Sequence, residues 1–233
     1  MIDITFFIPT LNEEKNIGSV LNNILEYSRI TNQKIECIFI DDNSSDLTAS
    51  LISNFIEKYE YQFSSCKIIV NSEVKGLALN FIQAVQLAMG NYFRLINGDN
   101  SEPLESLILV TSKYQEVDIT IPYYTKIINR KLFRKIISIL FTQIINLISG
   151  NNLKYYNGAP IYRTEILKQV KILSTGMSYS AEVLLSALSI TSNYREIGLI
   201  GMDNGSISLN FRNVAQVFST INRILTKKLT IKA

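Results

Sequence analysis

Short apolar runs and amphipathic stretches alternate through the first half of this 233-residue chain. Runs rich in β-branched and aromatic residues predict buried strands at 4–8, 35–40, 67–70, 92–96 and 117–121. Between them, apolar residues recur three and four positions apart, as on one face of a helix; the first such stretch contains Ile17, Val20, Leu21, Ile24 and Leu25. Two further stretches, around 51–56 and 78–85, repeat this spacing.

Strands that alternate with helices of this length imply right-handed crossovers and a mainly parallel sheet flanked by helices, which is an α/β fold. The pattern changes after Pro122, where helices are predicted at 131–149, 181–190 and 211–228 and a strand at 194–200. We therefore expect one domain with two parts: an α/β part at 1–122 and a basic, mainly helical part at 123–233.

Charge divides along the same line. The net charge of +3 conceals 8 basic and 16 acidic residues before position 119, against 15 basic and 4 acidic residues from there onward. Five of the ten residues at 126–135 are basic, and no acid lies between Asp118 and Glu165. An acidic first half beside a basic second half suggests that the two halves meet different ligands.

The composition excludes several kinds of site. The chain has no histidine, so triads, acid–base relays and zinc sites that need histidine are excluded. Any metal must be held by oxygens, because Cys37 and Cys66 alone cannot complete a tetrahedral zinc site. Two cysteines, no signal peptide and no membrane-spanning run favour a reduced, cytoplasmic setting. No nucleic-acid-binding motif is present.

Polar segments follow four of the predicted strands, at 9–14, 41–46, 71–76 and 97–101. Ligands of open α/β sheets bind beyond the carboxyl ends of the strands, so these segments are the candidate site. Each also has a purely structural interpretation. Asn12 and Asp46 are residue types that cap helices, Gly76 suits a turn, and Asn97-Gly98 is a common turn dipeptide. Four such segments at one edge favour the functional interpretation.

The four segments resemble the family 2 glycosyltransferases with the GT-A fold, a Rossmann-like architecture, and within them the dolichol-phosphate-mannose-synthase-like branch. The resemblance rests on IPTLNEEKNI at 8–17, IDDNSSD at 40–46, KGLALNFIQAVQLAMGNY at 75–92 and LINGDNSEP at 95–103. Two looser matches follow, YYNGAPIYR at 155–163 and GSISLNFRNV at 205–214. The resemblance implies an inverting transfer of sugar from a nucleoside-diphosphate sugar.

The same resemblance implies roles for individual residues. Those that stand where the family contacts the nucleotide are Pro9, Leu11 and Glu13, and Asp42 stands where it reads the base or ribose. Lys75 and Gly76 stand in the loop beside the donor.

A further implied role concerns a divalent metal, Mg²⁺ or Mn²⁺. Asp99 stands at the second aspartate of the family's Asp-x-Asp motif, which meets the metal and the donor diphosphate, and Ser101 at a position that adds a ligand in some members. Asn97 replaces the first aspartate. Because a neutral amide oxygen binds a hard cation more weakly than a carboxylate, we expect a looser metal that depends more on the diphosphate.

The basic second half bears on the acceptor. Helix 131–149 is apolar behind a basic entry formed by Arg130, Lys131, Arg134 and Lys135. Three interpretations stay open: a buried core helix, a helix packed against a second copy of the chain, and a helix at the surface of an anionic membrane. The third suits a polyprenyl phosphate acceptor and a peripheral location on the cytoplasmic face of a membrane.

The acceptor also decides whether a catalytic base is needed. A phosphate is already ionised at neutral pH, whereas a sugar hydroxyl requires a base, for which Glu182 at the start of a predicted helix is the candidate. Glu182 also fits a simple helix-dipole role. Relatives that use lipid phosphate tend to carry an arginine before their late Gly-x-Ser, where this chain has Met202-Asp203-Asn204. A saccharide hydroxyl of a lipid-linked glycan is therefore an alternative acceptor. A second alternative is a non-catalytic nucleotide-sugar-binding relative, which Asn97 in place of the first aspartate would indicate.

Overall fold

The structure is a computed structural model that describes residues 1–128, 132–172 and 179–202. Strands β1 to β7 comprise Ile4–Thr10, Ile35–Asp41, Ser65–Val70, Tyr92–Leu95, Ile119–Ile128, Ile161–Arg163 and Tyr194–Met202. Helices α1 to α7 comprise Ile17–Ile30, Thr48–Tyr59, Leu77–Leu87, Leu104–Thr111, Leu132–Ser149, Thr164–Leu167 and Tyr179–Leu188.

The seven strands form a single sheet in the order β3-β2-β1-β4-β6-β5-β7. Strand β1 pairs in parallel with β2 and β4, β2 with β3, and β5 with β7. Only β6 is antiparallel to its neighbours, β4 and β5, in this sheet. The predicted α/β class with a mainly parallel sheet is confirmed.

Apolar side chains cover both faces of the sheet, since successive residues of a strand point to opposite faces. Phe6 packs with the residues of α1, α2 and α4, whereas Phe7 packs with those of α3, α5 and α7. Both phenylalanines are fully buried. Strands β1, β2 and β4 are thus covered on both sides, which explains their nearly continuous apolar sequence, whereas the edge strand β3 is half-buried.

Three elements were not predicted from the sequence: strand β6, helix α4 and the four-residue helix α6. Strand β6 has three residues and follows a Pro-containing segment, so it is too short to show a pattern. Helix α4 begins directly after Pro103 and lies in a stretch without clear helical spacing. Strand β5 begins at Ile119 and extends to Ile128, beyond the predicted end at 121. Strand β6 pairs only with Ile119 and Thr120 of β5. At Pro122 the edge of β5 on the β6 side is therefore unpaired and needs no amide donor, so the strand can continue through the proline.

Helix α5 confirms the predicted helix 131–149 from Leu132 onward and has two unlike faces. Phe141 and Ile145 are buried against the sheet, while a row of large apolar side chains is exposed to solvent: Leu132, Phe133, Ile136, Ile139, Leu140, Ile144 and Leu147. No helix within the described residues is long and apolar enough to cross a membrane. Arg130, Lys131, the predicted helix 211–228 and the late Gly-x-Ser lie outside the described residues.

Candidate active site

The loops after β1 and β2 are joined by hydrogen bonds at the carboxyl edge of the sheet. The Asp42 amide donates to the Thr10 carbonyl at 2.8 Å, and the Glu13 amide donates to Thr48 Oγ1 at 2.8 Å. Asn12 adopts a left-handed backbone conformation with φ of 56°, and its Oδ1 accepts from the Ser45 amide at 2.9 Å. Asn12 therefore bridges two loops and does not cap α1.

Asp46 has the structural role that its residue type suggests. Its Oδ1 accepts from the Thr48 amide at 3.0 Å, at the first residue of α2, and its Oδ2 accepts from the Glu14 amide at 3.1 Å. Asp46 thus satisfies one free amide at the start of α2 and ties that helix to the first loop.

Asp42 holds the loop at residues 71–76. Its Oδ1 accepts from the Lys75 amide and from Asn71 Nδ2, both at 2.9 Å, and its Oδ2 accepts from the Gly76 amide at 2.8 Å. Gly76 has a φ of 86°, which only glycine adopts readily. Burial acts to raise the pKa of the Asp42 carboxyl, but the Lys75 amide, the neighbouring Asn80 amide group, Asn71 Nδ2 and the Gly76 amide all favour the charged form, outweigh burial and hold that pKa below its ordinary value.

The loop at 97–101 packs against the first loop. Gly98 is buried, and a Cβ atom added there would lie 2.7 Å from the Pro9 carbonyl oxygen. Within the loop, Asn97 Nδ2 donates to Ser101 Oγ at 3.2 Å, and the Ser101 amide donates to Asp99 Oδ1 at 3.0 Å. The predicted metal residues thus contact one another, and the missing side chain of Gly98 permits the close approach to β1.

Glu13 and Asp99 influence each other electrostatically across this contact. Burial raises the pKa of the Glu13 carboxyl, a hydrogen bond from Asn16 lowers it, and the negative charges of Asp99 and Asp46 raise it again, so the net shift is upward. Carboxylates gathered without a cation repel one another. Burial is the largest cause of the raised pKa of Glu13, and the negative charges of Asp99 and Asp46 add to it.

The described residues contain no cluster of three or more cysteine, aspartate or glutamate side chains that would enclose a metal ion. The 97–101 loop supplies one carboxylate, two amides and one hydroxyl, all with oxygen atoms. This set fits Mg²⁺ or Mn²⁺ that takes most of its ligands from phosphate oxygens and water, because Mg²⁺ is commonly held by one or two carboxylates plus substrate phosphates. It does not fit a site built entirely by protein ligands.

The remaining predicted residues lie as follows. Pro9 is half-buried at the end of β1, and Leu11 is exposed, as a residue in contact with a ligand would be before binding. Lys75 is an exposed residue of the 71–76 loop. Glu182 lies in the first turn of α7 with a buried side chain, and the preceding Ser180 lies 3.4 Å from Asn157, with its hydroxyl donating to the amide oxygen. Glu182 thus lies in a helix, unlike the candidate residues that follow the carboxyl ends of the strands.

Sequence reasoning missed several residues that shape this site. Asn71 and Asn80 are buried and hydrogen-bonded to each other beside Asp42. Arg94 is buried in β4 and pairs with Glu102 directly after the 97–101 loop. The sequence feature that could have identified them is a polar residue in an otherwise apolar pattern. Asn80 lies on the buried face of α3, and Arg94 interrupts an apolar strand.

Comparisons with known proteins agree with this geometry. Residues 5–171 match the family model for glycosyl transferase family 2. The abequosyltransferase RfbV of Salmonella typhimurium is 31% identical over 117 residues, which are 50% of this chain and 34% of that protein. The matched segment therefore spans about a third of that relative's length.

Solved structures share the fold at low sequence identity. The S. aureus TarS fragment 1–349, in complex with UDP-GlcNAc, superimposes with a TM-score of 0.64 at 17% identity, over 96% of this chain and 66% of that one. Glucosyl-3-phosphoglycerate synthase from Mycobacterium tuberculosis, in complex with Mn²⁺, UDP and glucosyl-3-phosphoglycerate, gives 0.68 at 14% identity, over 97% and 79%. Because the family model matches most of the chain, including the site loops after the first four strands, this chain belongs to glycosyltransferase family 2.

Proposed function

We propose that this chain is an inverting glycosyltransferase that uses a nucleoside-diphosphate sugar. The observation that carries the proposal is the packing of the 97–101 loop, with Asp99, against the Pro9 carbonyl at the end of β1 and against Glu13 in the loop that follows. Membership of family 2 supports it, as do the names of the relatives: an abequosyltransferase, a protein crystallised with UDP-GlcNAc, and a synthase crystallised with UDP and Mn²⁺.

The part at 1–122 binds the donor in this proposal. Pro9, Leu11 and Glu13 contact the nucleotide, and Lys75 lies beside it. An ionised carboxylate has about four acceptor sites, and protein donors already occupy three on Asp42. Asp42 therefore accepts one hydrogen bond from the base or ribose while it continues to hold the 71–76 loop.

The donor diphosphate binds at the 97–101 loop. Asp99, with Ser101 and the amide oxygen of Asn97, would hold a Mg²⁺ or Mn²⁺ ion, which would supply positive charge to stabilise the leaving diphosphate. Asp99 orients the diphosphate for in-line attack at the sugar C1 from the opposite side. Ser101 in turn holds the Asp99 carboxylate through its backbone amide.

The part at 123–233 provides the acceptor side, and we propose a polyprenyl phosphate at a membrane surface on its cytoplasmic face. Helix α5 carries the exposed apolar row and the exposed Lys135, and the preceding strand β5 carries the exposed Lys126; no acid occurs between Asp118 and Glu165. Apolar side chains beside basic ones match the acyl boundary and phosphate head groups of an anionic bilayer. A phosphate acceptor attacks without a general base.

A saccharide hydroxyl of a lipid-linked glycan is the second candidate acceptor. The observation that favours it is Glu182, a buried acid in the first turn of α7, in the same half as the acceptor region. In that case Glu182 takes the proton of the attacking hydroxyl.

The test of the site uses Asp99→Ala with Glu105→Ala as its matched control, because Glu105 is an exposed acid in the next helix. Labelled nucleotide sugars are supplied with Mn²⁺ and either a short-chain polyprenyl phosphate or an oligosaccharide. We expect transfer to the lipid phosphate by the wild type and by Glu105→Ala, and its loss in Asp99→Ala with unchanged circular dichroism. Full turnover by Asp99→Ala refutes the site. Transfer to the oligosaccharide alone, abolished by Glu182→Gln, selects the second acceptor.

The membrane proposal has its own test. Leu140 and Leu147 are 52% and 85% exposed on α5, whereas Ile30, at the end of α1, is 57% exposed on another helix. We expect Leu140→Glu/Leu147→Glu to lose flotation with phosphatidylglycerol vesicles and Ile30→Glu to retain it. Equal flotation of all three proteins contradicts the proposal, and so does a wild-type dimer in sedimentation that the double substitution dissociates.

A further inference from the structure

We infer that Arg94 and Glu102 are positioning residues for Asp99, an inference that rests on the proposed binding of a nucleoside diphosphate at the 97–101 loop. Arg94 Nη2 donates to Glu102 Oε1 at 2.6 Å. The side chains are 1% and 10% exposed, so water barely screens the pair. One partner precedes the loop and the other follows it, so the ion pair closes the loop at its base.

Arg94 also reaches the acceptor half of the molecule. Its Nε donates to the Ala159 carbonyl at 3.3 Å, in the segment that leads into β6, and Arg94 itself is paired with Ile161 across β4 and β6. The guanidinium therefore connects three parts: strand β4, the end of the 97–101 loop, and the segment before β6. Its planar, multidentate donors suit this task better than an ammonium group would.

The free-energy cost of burying the Arg94–Glu102 ion pair indicates that its role is not to stabilise the fold. Removing two charges from water costs several kcal/mol per ion, and apolar replacements of buried ion pairs are often equally stable. Arg94 Nη1 is in addition buried without a hydrogen-bond partner among the described residues, which costs further free energy. A costly buried pair at the base of a functional loop is better explained by the geometry it imposes.

The loop needs such a constraint. Asn100 has a left-handed backbone with φ of 55°, and the hydrogen bond from the Ser101 amide to Asp99 is the link that orients the carboxylate. The pKa of the Tyr124 hydroxyl is raised, first by burial and then by the charge of Glu102, with a smaller contribution from Asp99. Glu102 and Asp99 thus both lie within electrostatic range of Tyr124, and Arg94 forms an ion pair with Glu102.

The decisive variant is Arg94→Met/Glu102→Leu, which exchanges the pair for apolar side chains of similar size and leaves no buried unpaired charge. Glu36→Gln is the matched control, because Glu36 is a fully buried carboxylate that pairs with Lys67 at 3.1 Å near the opposite end of the sheet. We expect the double variant to unfold within a few degrees of the wild type. In the segment 96–103, where every residue except Pro103 has a backbone amide, hydrogen exchange should nevertheless become at least tenfold faster in the double variant and stay unchanged in Glu36→Gln.

Nucleotide binding provides the second readout. Calorimetry with Mn²⁺ and, in turn, UDP, CDP, GDP and dTDP identifies the diphosphate that the wild type prefers. We expect its Kd to rise at least tenfold in the double variant and less than twofold in Glu36→Gln, with Arg94→Lys intermediate. Unchanged exchange at 96–103, or unchanged affinity for a diphosphate that the wild type binds, overturns the inference. If the wild type binds none of the four nucleoside diphosphates, the proposed function is contradicted. The hydrogen-exchange comparison does not depend on nucleotide binding and therefore tests the role of the ion pair separately.

Discussion

Substitution of Asp42 by asparagine isolates the contribution of one carboxylate to the shape of the donor site. The carboxylate accepts three hydrogen bonds of 2.8 to 2.9 Å, two from the backbone of the 71–76 loop and one from Asn71. An asparagine of the same shape offers a single acceptor oxygen, and its NH₂ group would face one of those donors.

The magnitude follows from these contacts. A hydrogen bond to a charged group contributes about 1.5–3 kcal/mol, against about 0.5–1.5 kcal/mol for a neutral one. Asp42→Asn loses one such bond outright and weakens two, so we expect the free energy of unfolding to fall by about 3–4 kcal/mol at pH 7. Urea denaturation followed by circular dichroism measures this difference.

The lowered pKa of Asp42 also predicts how the cost of Asp42→Asn changes with pH. Because the pKa of Asp42 in the folded chain lies below its ordinary value, the wild-type advantage is complete above the ordinary pKa and disappears as the pH falls through the lowered one. The cost of Asp42→Asn should therefore shrink between pH 7 and pH 3. Asp3→Asn is the control, since Asp3 is partly exposed near the start of β1 and accepts one bond from the Lys34 amide. A cost no larger than that of Asp3→Asn, or a cost independent of pH, would refute the reasoning.

Three further predictions concern the same loops. Gly98→Ala would place a Cβ 2.7 Å from the Pro9 carbonyl oxygen, so we expect at least a tenfold weaker calorimetric Kd for the preferred nucleoside diphosphate; Gly18→Ala, with open space around it on α1, should leave that Kd unchanged. Gly76→Ala must adopt a φ of 86°, which should lower the free energy of unfolding by about 1–3 kcal/mol in urea titrations, and a neutral result would mean that the loop relaxes freely. Glu13→Gln removes a carboxyl whose pKa is raised, and the wild type loses stability as the pH rises through that pKa. The free energy of unfolding of the variant should therefore increase relative to that of the wild type between pH 3.5 and pH 7. An equal difference at both pH values contradicts this.

Much of the structure of residues 1–122 was predictable from sequence because its signals are local. Buried parallel strands have continuous apolar sequences, and polar residues follow directly where those strands end, so the convergence of Pro9, Asp42 and Asp99 at one edge was expected before the structure was known. The branch resemblance and the acceptor remain predictions, since the features that would define them lie in the basic half, where apolar helices suit a core, a membrane or a partner equally well.

Other features depend on pairing between distant residues and leave little trace in sequence. Strand β6 is defined by its partners in β4 and β5, and its three residues have no pattern of their own. Arg94 and Glu102 are eight positions apart, but only the fold shows that both are buried and face each other. The three donors to Asp42 include two backbone amides, which no side-chain pattern reveals.

The antiparallel strand β6 also sets an order of events during synthesis. Strands β1 to β4 form from neighbouring βαβ units, but β4 then has an open edge until Ile161 to Arg163 have been made, about seventy residues later. Strand β5 joins the sheet through β6, and β7 joins through β5. Such distant pairings close slowly, and an open edge can pair with another chain in the meantime. We therefore expect the ribosome-bound chain to be most prone to aggregation while the segment between β4 and β6 is being translated, and a premature stop there to yield insoluble protein.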